Sequence, residues 1–157
     1  MPTESAGRSS RATLAEVLAR IASRRRRLGR INVEISPGEL IDKITILEIK
    51  RERITQAAKL ENVLNELAML EASRERAITP TDELAGLTAQ LRGVNEALWQ
   101  VEDELRQSES ASDFGPRFTE LARSVYQLND RRASIKRKIN ETLGSRLMEE
   151  KSYGTSP

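Results

Sequence analysis

Apolar residues recur along this chain in two periods, and the switch between them marks where its organisation begins. At 32–35, Val33 and Ile35 alternate with Asn32 and Glu34, the period of a half-buried strand. The alternation stops at Ser36-Pro37-Gly38-Glu39. Ser36 can accept from the backbone N–H three residues on, Pro37 has no N–H to leave unpaired at the first helical position, and Glu39 can reach back to complete a capping box. A helix is therefore predicted from Pro37. Leu40, Ile41, Ile44, Ile46, Leu47 and Ile49 then cover more than one of its faces, so its first turns should be buried on at least two sides.

The helical period continues through Leu60, Val63, Leu64, Leu67 and Leu70, which predicts one long helix over about 37–76, weakest at 55–59. Ile78-Thr79-Pro80-Thr81 ends it, because proline disfavours helix in the residue before it and Thr79 or Thr81 can cap the next element. The second helix, about 81–108, has the cleanest period: Leu84, Leu87, Leu91, Val94, Leu98, Val101 and Leu105 step by three and four. After a polar turn at 108–112, Asp113 with Phe114-Gly115-Pro116 opens a third helix expected to run to about 150. Its seam of Phe118, Leu121, Val125, Leu128, Ile135, Ile139 and Leu143 is interrupted by Arg132. Three seamed helices predict an all-α antiparallel bundle, coiled-coil-like, in preference to a parallel dimeric zipper. The short strand at 31–35 has no second strand in the chain to pair with, which hints at pairing with a symmetry mate.

Charge divides the chain. Residues 1–30 hold eight Arg against Glu4 and Glu16, while the rest carries a net −4, so the sequence pI near 9.1 belongs to the leader. Residues 1–10 are Ser-rich and polar. Leu14, Val17, Leu18 and Ile21 followed by Arg24, Arg25, Arg26 and Arg27 predict a short basic amphipathic helix, whose partner would be nucleic acid, an anionic surface or an acidic protein. The plainer expectation is a dispensable extension, since translation from around Leu28 would leave the strand and the capped helix intact. The domain plan is thus an extension at 1–30, a helical domain at 31–153 and a tail at 154–157.

Composition removes most catalytic chemistries. With no cysteine and no histidine, the chain has no disulfide, no zinc site of the usual kind and no histidine-based nucleophilic or proton-transfer catalysis. No apolar run approaches the roughly 20 residues of a membrane span, which makes the cytoplasm the expected compartment. What remains is a polar stripe. Beside the seam that Arg132 interrupts, Asn129, Ala133, Lys136 and Asn140 follow one edge of the third helix, Asn95, Trp99 and Glu102 lie beside the seam of the second, and Glu48 and Glu52 stand one turn apart on the first. Packed antiparallel, these edges could share one groove in which carboxylates face Arg132 and Lys136. Charges flanking a helical seam ordinarily brace it and set its register. The competing reading is a ligand site: Glu48, Glu52, Glu102 and Asp103 hold Mg²⁺, and Arg132 and Lys136 take a nucleotide or other phosphate.

The segments SPGELIDKITILEIKRERI at 36–54, VNEALWQVEDELR at 94–106, DFGPRFTELARSVYQLNDRRASIKRKIN at 113–140 and GSRLMEEKSY at 144–153 together resemble a bacterial family of uncharacterised proteins known only as a domain of unknown function. The resemblance covers about 31–153 and leaves the basic leader outside. It implies an all-helical cytoplasmic domain with no established activity and an occasional association with polysaccharide or glycosyltransferase proteins, and it carries over no catalytic residues. Two functions follow as expectations. One is a non-enzymatic helical module that binds a partner protein or forms a homodimer. The other is a small all-α Mg-dependent enzyme or ligand binder that uses the carboxylate, Arg and Lys groove. Its likeness to all-α nucleoside triphosphate pyrophosphatases is weakened because Glu48 and Glu52 are four apart and the second helix supplies no E-x-x-D.

Overall fold

A computed structural model describes residues 31–150. The basic amphipathic helix expected at 14–21, the arginine run and the tail at 154–157 lie outside the described residues. Among the described residues four α-helices follow one another: α1 Pro37–Arg53, α2 Ala57–Ala77, α3 Asp82–Ser110 and α4 Pro116–Thr142. The all-α class holds. The count of three long helices does not, and neither does the short strand: residues 31–36 form no strand, and Ile31 and Val33 are 85% and 72% exposed. Alternation alone does not make a strand where no second strand offers a ladder.

α1 begins where its sequence starts it. Ser36 Oγ accepts from Glu39 N at 3.3 Å, Ser36 O accepts from Leu40 N at 3.1 Å, and Pro37 fills the first helical position. The capping box is only half made, because the Glu39 carboxylate turns away to Lys136. The long helix expected over 37–76 breaks at 54–56. Ile54 is extended (φ −85°, ψ 121°), and Gln56 stands at the N-cap of α2 without a side-chain cap bond. Tertiary packing explains the break. A continuous helix would leave Val63 and Leu67 without a partner, whereas the reversal buries both against Leu40, Ile44 and Leu47 of α1. Burial of such side chains is worth about 1.5–3 kcal/mol each, more than a short non-helical connection costs.

Thr81 Oγ1 caps α3 through Leu84 N at 3.1 Å. α3 and α4 then lie antiparallel: Arg117 pairs with Glu104 near the connecting turn, and Thr142 meets Glu83 at the opposite end. Their seams enclose Leu84, Leu87, Leu91, Val94, Leu98, Ile135 and Ile139, to which α1 adds Ile41. α4 stops at Thr142, short of the predicted 150. Gly144 takes a left-handed φ of +61°, its N–H bonds Glu141 O, and Ser145 N–H bonds Asn140 O at 2.8 Å, which together make a Schellman stop. The chain at 145–150 folds back so that Glu149 and Glu150 reach Lys136 and Arg137.

α1 is the hub. It packs on α2, α3 and α4, whereas α2 packs on α1 alone.

Candidate functional site

The polar centre of the molecule lies where α1 crosses α3 and α4, and it is built around a residue that the periodicity did not single out. Asp42 sits one turn into α1 between Ile41 and Ile44 and is 1% exposed. Arg132 on α4 grips it with both arms, Nε to Oδ1 at 2.8 Å and Nη2 to Oδ2 at 2.5 Å. Asn95 on α3 donates Nδ2 to the same Oδ1 at 2.9 Å and to Thr45 Oγ1 at 3.0 Å, and the Thr45 hydroxyl donates to Asp42 O at 2.9 Å. Three helices thus meet on one carboxylate, and both its oxygens are bonded. The hydrogen bond that Arg132 donates to Asp42 outweighs desolvation and holds the guanidinium above its usual pKa.

One turn further along α4, Lys136 is buried and its ammonium lies between two carboxylates, Glu39 Oε2 at 2.7 Å and Glu149 Oε2 at 2.5 Å. Burial acts to lower its pKa, but the bonds to Glu149 and Glu39 prevail and keep it raised. A further turn on, Asn140 is fully buried and accepts Gly38 N–H through Oδ1 at 2.7 Å, while its Nδ2 has no partner. Gly38 makes this approach possible. A Cβ at that position would lie 2.5 Å from Lys136 O and 2.9 Å from Asn140 Oδ1, so only glycine lets the start of α1 rest on the α4 backbone. Between these groups a cleft of about 270 Å³ opens, lined by Glu39, Asn129, Arg132, Ala133, Lys136 and Glu149.

Of the predicted stripe, the structure brings Asn95, Arg132, Lys136 and Asn140 onto α1 and puts Asn129 at the cleft, where its Nδ2 donates to Val125 O at 3.0 Å. It places the carboxylates elsewhere. Glu48 and Glu52 bind Arg92, at 3.1 and 2.7 Å, with Glu96 as a third partner at 3.0 Å. Desolvation opposes the charge on Arg92, and the bonds to Glu52 and Glu48 restore it and raise its pKa. Glu102 and Asp103 pair with Arg106 on their own helix, both about half exposed. Trp99 is half-buried with the Arg53 guanidinium 5.5 Å from its ring centroid. The four carboxylates proposed for Mg²⁺ therefore do not form one set, and no group of three or more such ligands converges among the described residues. The reason is register: α1 and α4 run antiparallel, with Gly38 level with Asn140 and Asp42 with Arg132. Glu52 stands 13 residues beyond Glu39, about 20 Å further along α1.

The residues missed were Gly38, Glu39, Asp42 and Thr45. Two signals pointed to them. An aspartate and a threonine interrupt the apolar face Leu40-Ile41-Ile44, and a glycine stands inside a capped first turn, where only close approach justifies it.

Comparison with known proteins adds a family and no activity. A family model described as a family of unknown function, DUF6165, matches residues 31–157, whereas no curated protein and no solved structure matches the chain.

Proposed function

The chain belongs to that family of unknown function, and we propose that its helical domain works as an interaction module that binds another protein chain, in preference to an enzyme acting on phosphate ligands. One observation carries the reading: the cations that a phosphate would need are already committed inside the molecule. Arg132 is spent on the buried Asp42, and Lys136 is shared by Glu39 and Glu149. An incoming phosphate would have to displace a carboxylate from Lys136 in a cleft whose charged lining is balanced without it. Meanwhile the apolar surface beside α2 is left open. A groove of about 520 Å³ runs between the end of α2 and the start of α3, floored by Ile41 and Leu84 and walled by Ile78, Ala85 and Ala89. A groove of this shape can receive apolar side chains of a partner helix.

The test is a thermal-shift panel of Mg²⁺, Mn²⁺, nucleotides and sugar nucleotides on the full chain. A specific ligand at a hundred times its dissociation constant would add about 2.7 kcal/mol of stability. The module reading expects no shift from any of them. A shift produced by one phosphate compound and abolished in Lys136→Met would overturn it in favour of the Mg-dependent alternative.

A further inference from the structure

We propose that the cleft beside Lys136 is a docking site for an acidic segment of a partner chain, and that residues 145–150 fold over it as a tethered stand-in for that segment. Glu149 and Glu150 then hold the places of the partner's carboxylates. The proposal rests on the module reading and adds the chemistry of the partner and a control on its access.

The walls of the cleft and its cover are built differently. Glu39, Asn129, Arg132, Ala133 and Lys136 stand on α1 and α4, and Lys136 is only 6% exposed, so the bundle itself holds the ammonium in place. The cover is an irregular segment that follows the Gly144 stop. Residues 146–150 are all exposed, Leu147 and Met148 among them, and the last backbone–backbone bond among the described residues is that of Ser145 N–H to Asn140 O. Lifting the segment therefore takes almost no apolar surface out of the core. Two glutamates tie it to α4. Glu149 Oε2 meets Lys136 Nζ at 2.5 Å, and Glu150 spans Arg137 Nη1 and Nη2 at 3.1 and 3.2 Å. Carboxylates that reach water as freely as these add little net stability to their pairs.

The cations keep a partner when the segment lifts: Lys136 retains Glu39 at 2.7 Å, and Arg137 retains Glu141 at 3.3 Å. Closed and open arrangements are thus both satisfied. Between Asn129 and Asn140, α4 carries Arg131, Arg132, Lys136, Arg137 and Lys138 against Asp130 alone. Asp42 and Glu39 of α1 offset two of these charges, and an acidic chain is drawn to the remainder. The match is residue for residue, since the consecutive cations Lys136 and Arg137 take the consecutive carboxylates Glu149 and Glu150. A partner with two adjacent acidic residues reproduces both contacts. Such an exchange replaces carboxylate with carboxylate and leaves the lining balanced, which a phosphate dianion would not.

The experiment is fluorescence anisotropy with a labelled peptide of residues 145–150, SRLMEE, blocked at its C-terminus and titrated with the full chain at low salt. Circular dichroism checks that each variant stays helical. In the wild type the tethered copy, at an effective concentration on the order of millimolar, competes with the peptide, so the double variant Glu149→Gln with Glu150→Gln should bind about tenfold more tightly. Adding Lys136→Met to the double variant should weaken binding about tenfold, and the peptide SRLMQQ should not bind. Equal affinity for wild type and double variant, or no binding to either, overturns the proposal. So does an SRLMQQ peptide that binds as well as SRLMEE, or displacement by equimolar acetate, which would assign the cleft to a small free carboxylate. Each of these failures leaves the thermal-shift test of the module reading untouched.

Discussion

α1 has two flanks, and they are held in different ways. Toward α3 and α4 it presents Gly38, Glu39, Asp42 and Thr45, which meet Asn140, Lys136, Arg132 and Asn95 in bonds that each have a single geometry. Toward α2 it presents Leu40, Ile44 and Leu47, which meet Val63 and Leu67 by aliphatic contact alone. The difference separates register from adhesion. A buried carboxylate with both oxygens bonded penalises a slip of one turn by several kcal/mol, whereas aliphatic surfaces tolerate sliding at little cost. The polar flank fixes how the three helices align, and the aliphatic flank only keeps α2 attached. Four single variants and one double probe that contrast.

Arg132→Met carries the largest expected effect. It leaves Asp42 buried and unpaired, at a cost of about 3–5 kcal/mol in urea unfolding, and because α1, α3 and α4 share that carboxylate, amide protection should fall in all three together. The double variant Asp42→Leu with Arg132→Met removes the stranded charge and should recover most of the loss. If the double is no better than the single, Asp42 is not what the arginine serves.

Leu67→Ala comes next, at about 2–5 kcal/mol as a buried aliphatic. Its signature should differ. With no directional bond to hold it, α2 should exchange its amides by local opening while α3 and α4 keep their protection, which hydrogen exchange by residue would read directly. Equal loss across all four helices would mean that the two flanks are not separable. Gly38→Ala follows, at about 1–3 kcal/mol: the new methyl meets the Lys136 carbonyl, a backbone atom with little freedom to yield, and the Gly38 to Asn140 bond must lengthen.

How far the sequence revealed these flanks depended on what each uses. Aliphatic seams have a period, so the existence of the helices, the start at Ser36 and the stop before Pro80 were legible, and so was the polar stripe on α4, where Arg132 breaks a seven-membered seam. The break at 54–56 was not. It depends on what α2 gains from folding back on α1, and 55–59 showed only as a weak stretch. The end of α4 was missed although Gly144 marks it, because apolar and charged residues continue beyond it at helical density. The pairing of charges was the least legible. Glu48 and Glu52 have helical spacing as good as that of Glu39 and Asp42, and only the antiparallel register decides which pair faces Arg132 and Lys136.

Lys136→Met makes the finest cut, because Lys136 stands one turn from Arg132 on the same edge of α4 and differs in what it leaves behind. Its partners, Glu39 and Glu149, are each 38% exposed and can turn to water, whereas Asp42 cannot. The cost should therefore be about 1 kcal/mol or less, in the range of a surface pair despite the burial of the lysine itself. The sign of its pH dependence follows from the raised pKa. A cation favoured by the folded state contributes fully below its unfolded value and loses that contribution as pH rises through the folded one. The gap between wild type and Lys136→Met should accordingly be flat through neutral pH and close only above the ordinary lysine value of 10.5, in urea titrations repeated across alkaline pH. A gap that already narrowed at neutral pH would mean that the bonds to Glu149 and Glu39 do not hold the lysine proton, and the contrast with Arg132 would then not lie in the exposure of the partners.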